Sequence, residues 1–143
     1  MRSIVRSIIC LSVLTLLVAA CASPTRLGQG ASQIPNPASV NCEEKGGQLT
    51  IEKRGDGGEF GACAFEDNLQ CEEWALFRGE CPVGGIKVTG YVTPAARYCA
   101  ISGGEYTVTG QSGAEDEQGD CAFKNGKTCG AWDYWNGKCS QNE

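Results

Sequence analysis

Ten cysteines and no histidine set the limits on what chemistry this chain can perform. Without an imidazole there is no Ser-His-Asp or Cys-His pair to activate a nucleophile, and no His-ligated metal. Cys10 and Cys21 stand near the start, and the other eight fall into two sets of four: Cys42, Cys63, Cys71, Cys81 and Cys99, Cys121, Cys129, Cys139. Successive cysteines are separated by 20, 7 and 9 residues in the first set and by 21, 7 and 9 in the second. Four thiolates could hold zinc, but such sites usually present a close C-x2-4-C pair, and this sequence has none. Disulfides within each set are expected instead. Cys63 with Cys71, and Cys121 with Cys129, would meet across a tight reversal; that leaves Cys42 with Cys81 and Cys99 with Cys139. Four cysteines permit three connectivities, so the sequence alone leaves the choice open.

The carboxylates are the other reactive groups. Glu43-Glu44, Glu59, Glu66-Asp67, Glu72-Glu73 and Glu80 could form an acidic patch for a cationic partner, or simply a solvated surface. Glu115-Asp116-Glu117-Gln118-Gly119-Asp120 lacks the alternating ligands and terminal Glu of a calcium loop. Glycosidase chemistry needs a cleft between two acids, and two small disulfide-held units leave little room for one. No catalytic residue, cofactor or metal is assigned, and no enzymatic activity is expected. A net charge of -5 with 12 basic residues also argues against nucleic acid as a partner.

Internal repetition organises the chain. An offset of 57 carries Pro37, Cys42 and Gly46-Gly47 onto Pro94, Cys99 and Gly103-Gly104. After a one-residue insertion the offset of 58 carries Cys63-Ala64-Phe65, Cys71, Trp74, Gly79 and Cys81 onto Cys121-Ala122-Phe123, Cys129, Trp132, Gly137 and Cys139. In each copy Asn36 or Thr93 caps a short helix opened by proline, and the glycine pair stops it. A strand follows (48–54 or 105–110), then a polar turn, then a strand carrying the Cys-Ala-Phe triplet. Asp67-Asn68 or Asn125-Gly126 reverses the chain, and a helical turn carries Trp74 and Phe77, or Trp132 and Trp135, on one face. The expected fold class is α+β: two tandem, small, disulfide-stabilised α-β-β-α units at 36–81 and 93–139. Segment 82–92 reads as a linker with a short strand of its own.

Such units are too small to fold confidently on apolar burial alone, so the cross-links supply the missing constraint. The four aromatics at helical spacing are expected in the core. Glu72, Glu73 and Tyr134 are left as a candidate binding face, with Tyr134 the expected exposed aromatic.

The first residues read as an address. Arg2 and Arg6 precede an apolar stretch shorter than a membrane-spanning helix, which suits a signal peptide at 1–20. Val18-Ala19-Ala20-Cys21 resembles the lipobox of bacterial lipoproteins, in which cleavage exposes a cysteine that is then lipidated. The resemblance implies lipidation at Cys21, a membrane partner through that anchor, and a flexible tether at 21–35. Ala22 resembles the outer-membrane sorting pattern, which implies a location at the outer membrane facing the periplasm.

Asn36-Pro37-Ala38-Ser39, Cys42-Glu43, Gly46-Gly47, and the run from Gly61 through Cys71-Glu72-Glu73-Trp74-Ala75 to Arg78-Gly79-Glu80-Cys81 resemble a small bacterial domain of unknown function that often carries a haemolysin label. The resemblance spans 36–81 and, more loosely, 93–139. The second copy departs from it: Glu72-Glu73 becomes Gly130-Ala131, and Arg78 becomes Asn136. The run from Cys63 to Cys81 more faintly resembles the latter half of Kazal-type protease inhibitors, without their usual Tyr and cysteine count. The expected function is that of a non-catalytic envelope lipoprotein, a protein-binding or structural module. The alternatives are an inhibitor of a protease or lysozyme-like hydrolase, and a haemolysin-like factor.

Overall fold

The computed structural model describes residues 35–110 and 112–142. The expected signal peptide, Cys10, the expected lipidation site Cys21 and the expected tether as far as residue 34 lie outside the described residues. Among those described, no helix is long and apolar enough to cross a membrane.

Helix α1, Pro37–Glu44, starts where Asn36 accepts the Ala38 N–H at 3.0 Å. It ends at Gly46, whose φ of 81° is left-handed. Strands β1 (Gln48–Lys53) and β2 (Glu59–Ala64) form an antiparallel hairpin closed by Arg54 N–H to Gly58 C=O at 2.8 Å. Asp67 and Asn68, at φ 58° and 59°, turn the chain into β3 (Leu69–Glu72), which leads directly into α2 (Glu73–Phe77). The joining segment contributes β4, Ile86–Lys87, completing the sheet β1-β2-β3-β4. The second copy repeats the plan. Helix α3 (Pro94–Ile101) is capped by the Thr93 hydroxyl and followed by β5 (Glu105–Val108), β6 (Gly119–Ala122), β7 (Thr128–Gly130) and α4 (Ala131–Trp135), with sheet order β5-β6-β7. The tandem, disulfide-stabilised α+β organisation therefore stands. Each unit carries one strand more than α-β-β-α, because the residues after the reversal pair with the strand before it.

The expected cysteine pairing is corrected. The disulfides are Cys42–Cys63, Cys71–Cys81, Cys99–Cys121 and Cys129–Cys139. Cys63 and Cys71 do lie opposite each other in the β2–β3 ladder, as do Cys121 and Cys129. Opposed residues project to the same face of a sheet, and here each sulfur is joined to a cysteine outside that ladder: Cys63 to α1, and Cys71 to the turn after α2. The second glycine of each Gly-Gly pair follows from this. A Cβ on Gly47 would sit 3.0 Å from the Cys42 sulfur, and one on Gly104 2.9 Å from that of Cys99.

The two copies share their packing. Phe60 and Ala62 of β2 join Tyr98, Ile101, Phe123 and Tyr134 of the second copy in one buried cluster. Phe60 meets Tyr98 edge-on at 4.9 Å, and Tyr98 stacks on Tyr134 at 5.0 Å. Arg97 spans the joint: its Nη1 donates to Glu52 Oε2 at 2.7 Å, Nη2 to Glu52 Oε1 at 2.8 Å, and Nε to Gln70 Oε1 at 2.9 Å. The positions matching Arg97, Tyr98 and Phe60 in the other copy are Val40, Asn41 and Gln118. A smaller cluster of Cys42, Cys63, Cys71, Ala75, Leu76 and Cys81 fills the first copy.

Candidate functional site

The seam between the copies opens into a polar cavity of about 320 Å3, lined by Arg54, Glu72, Trp74, Arg78, Tyr98 and Tyr134, with Asp56 and the segment after α4. Each side chain is delivered by a local feature already visible in the chain. Arg54 and Asp56 come from the β1–β2 turn, held by Gly58 N–H to Asp56 Oδ1 at 2.9 Å. Gly58 is glycine because a Cβ there would press to 2.5 Å from the Arg54 guanidinium. Glu72 is the last residue of β3 and the N-cap of α2, accepting the Ala75 N–H at 2.8 Å. Arg78 follows α2, where Gly79 turns the chain at φ 74°. Tyr98 and Tyr134 come from α3 and α4 of the other copy.

The electrostatics favour hydrogen-bond donation into the cavity. Arg54 pairs with Asp56 at 2.9 Å and Arg78 with Glu80 at 2.8 Å, each through one nitrogen. The Arg54 Nε is buried with no hydrogen-bond partner. Burial pushes the Tyr98 and Tyr134 hydroxyls above the usual phenol range, so both stay protonated at neutral pH. Burial likewise raises Glu72, against the lowering effect of the Ala75 and Trp74 amides and of Arg78. The Arg78 hydrogen bond holds Glu80 below the ordinary carboxylate value. The arrangement offers two guanidinium groups, two neutral hydroxyls and a carboxylate that takes a proton more readily than usual: equipment for holding a polar ligand.

The expected binding face divides. Glu72 and Tyr134 meet in this cavity. Glu73 belongs elsewhere: it accepts from Asn36 Nδ2 at 3.0 Å and Ser39 Oγ at 2.6 Å, fastening α2 to the start of α1. Tyr134 is corrected from exposed to buried, at 8% exposure, because it is the counterpart of Leu76 on the inner side of its helix. Trp74 and Phe77 are corrected from core to surface, at 38% and 49% exposed, touching each other edge-on at 5.7 Å. Helical spacing correctly placed them on one face; Ala75 and Leu76 occupy the buried one. Trp132 and Trp135 are half-buried. Glu117, within the acidic run weighed for calcium, accepts instead from the Tyr106 hydroxyl at 3.0 Å and the Gly113 N–H at 2.8 Å. Arg54 and Tyr98 escaped the sequence reading because nothing local ties them to the site. Arg78 carried a signal, being among the charges the second copy lacks.

Two tandem disulfide-linked α+β units, joined through a shared aromatic cluster, define the class of protein. The chain matches the family described as a domain of unknown function, DUF333, twice, over residues 33–80 and 90–138, and it belongs to that family. No curated protein and no solved structure matches it.

Proposed function

We propose that this protein is a non-catalytic binding module of the bacterial envelope, lipidated at Cys21 and carried on a tether at the outer membrane, facing the periplasm. The observation that carries the reading is the Trp74–Phe77 pair, two large apolar side chains at the surface of a five-residue helix. The Cys71–Cys81 disulfide fixes the segment that presents them. Rigid exposed aromatics are typical anchors of protein interfaces and lose little entropy on binding. The neighbouring arginines and carboxylates supply the polar surround such an anchor needs.

The test is in-cell crosslinking of the full lipidated chain, with the partner identified by mass spectrometry. A dominant partner lost in the Trp74→Ala/Phe77→Ala variant supports the reading. Crosslinks unchanged by that variant overturn it. A second reading, inhibition of a protease or lysozyme-like hydrolase, draws on the exposed reversal Glu66–Asn68, whose φ values of 58° and 59° at Asp67 and Asn68 are held between β2 and β3. Reduced hydrolase activity in the presence of the protein, restored by changes at Asp67, would favour it.

A further inference from the structure

We infer that the cavity at the seam binds a ligand bearing a single carboxylate, and the occupant it fits is the free C-terminal end of a peptide. The inference deepens the binding-module reading by assigning a ligand chemistry to a second site beside the Trp74–Phe77 face. Four observations converge. Arg54 and Arg78 both line the cavity, each engaged to its own carboxylate through one nitrogen only. The remaining guanidinium edges match a carboxylate fork. The Arg54 Nε is buried without a partner, a donor whose desolvation an arriving anion would offset. Tyr98 and Tyr134, whose neutral hydroxyls bond to each other, stand in the same wall, and Trp74 supplies an apolar rim.

The charge balance selects the kind of anion. With Glu80 paired to Arg78, two guanidinium groups stand against Asp56, Glu72 and Glu80, so a doubly charged phosphate would meet more repulsion than a monoanionic carboxylate. Size points the same way. About 320 Å3 lies at the small end of ligand pockets, enough for one terminal residue and not for a folded element. The copies contribute unequally. Arg54, Glu72, Trp74 and Arg78 come from the first, Tyr98 and Tyr134 from the second, and the counterparts of Glu72 and Arg78 are Gly130 and Asn136. A duplicated chain therefore holds this combination once.

The test is calorimetric titration of the full chain in detergent with N-acetyl-dialanine, its C-terminal amide, acetate and inorganic phosphate. The acid is expected to bind at least about tenfold more tightly than the amide, and Arg54→Gln and Arg78→Gln each to weaken it by about tenfold or more. Thermal melting checks that both variants fold, and the more exposed Arg78 keeps the test decisive if Arg54→Gln does not. Acetate matching the peptide acid would retain the carboxylate chemistry and reassign the source to a small free acid. Equal binding of acid and amide, stronger binding of phosphate, or no saturable heat at millimolar concentrations would overturn the site. Those outcomes leave the Trp74–Phe77 crosslinking result untouched, so the two readings fail separately.

Discussion

Removing Arg97 should loosen the joint between the copies by an amount that depends on pH. Arg97→Met keeps much of the aliphatic stem and deletes the bidentate pair to Glu52, at 2.7 and 2.8 Å, together with the bonds to Gln70. The Arg97 and Glu52 side chains are 25% and 32% exposed. The pair thus lies between exposed pairs, worth roughly 0.2–1 kcal/mol, and buried charged hydrogen bonds, worth roughly 1.5–3 kcal/mol. A loss of about 1–2 kcal/mol at neutral pH is expected, or a fall in Tm of about 5–10 °C for a domain of this size. The hydrogen bond from Arg97 holds the Glu52 carboxyl below its ordinary value of 4.5. A carboxylate depressed in the folded state contributes stability that is present above the unfolded pKa and is lost as pH falls through the folded one. The difference between wild type and Arg97→Met should therefore shrink in acid, leaving only the Gln70 bonds. Chemical denaturation at pH 7 and pH 3, with Glu52→Gln and the double variant completing a cycle, measures this directly. Equal stability at pH 7, or a difference unchanged at pH 3, would refute the assignment of Arg97 as an electrostatic clamp.

Other expectations follow from the same structure. Proteolysis without reduction should release peptides linked Cys42–Cys63, Cys71–Cys81, Cys99–Cys121 and Cys129–Cys139; a Cys63–Cys71 peptide would contradict the arrangement. Opening Cys42–Cys63 by a double Ser replacement should cost about 3 kcal/mol for a loop of 21 residues, read as a lower denaturation midpoint. Glu72→Gln keeps an acceptor for the Ala75 amide and removes a buried charge. Because burial raises the Glu72 pKa, its ionisation weakens the fold as pH climbs from the ordinary carboxyl value through the folded one. The variant should match wild type near pH 4 and exceed it at pH 7, by thermal melting. Cys21→Ser should move the protein from the membrane fraction to the soluble one; persistence at the membrane counts against a lipid anchor there.

What the sequence made legible was local. Asn36 and Thr93 at the caps, the first glycine of each Gly-Gly pair and the Asp67-Asn68 reversal each act within a few residues. Strand β3 has only four residues and gains its identity from a neighbour across the sheet, so periodicity could not reveal it. The disulfide partners depend on how helices lie over sheets. Yet Gly47 and Gly104 held a clue in plain sight, since glycine is required where backbone passes against the Cys42 and Cys99 sulfurs. The cavity was the least readable part. Glu72 and Tyr134 were singled out, but Arg54 and Tyr98 enter only through long-range packing, and the helical period of Trp74 and Phe77 could not say which side of α2 faced water.

The unequal seam also governs growth. A head-to-tail contact between like units is a polymerisation reaction, and it continues until the units run out or an end becomes unreactive. Here α3 offers Arg97 and Tyr98 to the first copy, while α1 offers Val40 and Asn41 at the same places. At the opposite end Gln118 stands where Phe60 receives the incoming tyrosine. Neither end therefore presents the residues that make the seam. An arginine placed at Val40 would moreover meet Thr109 and Thr128 where Arg97 meets Glu52 and Gln70, so the seam is specified on both of its faces.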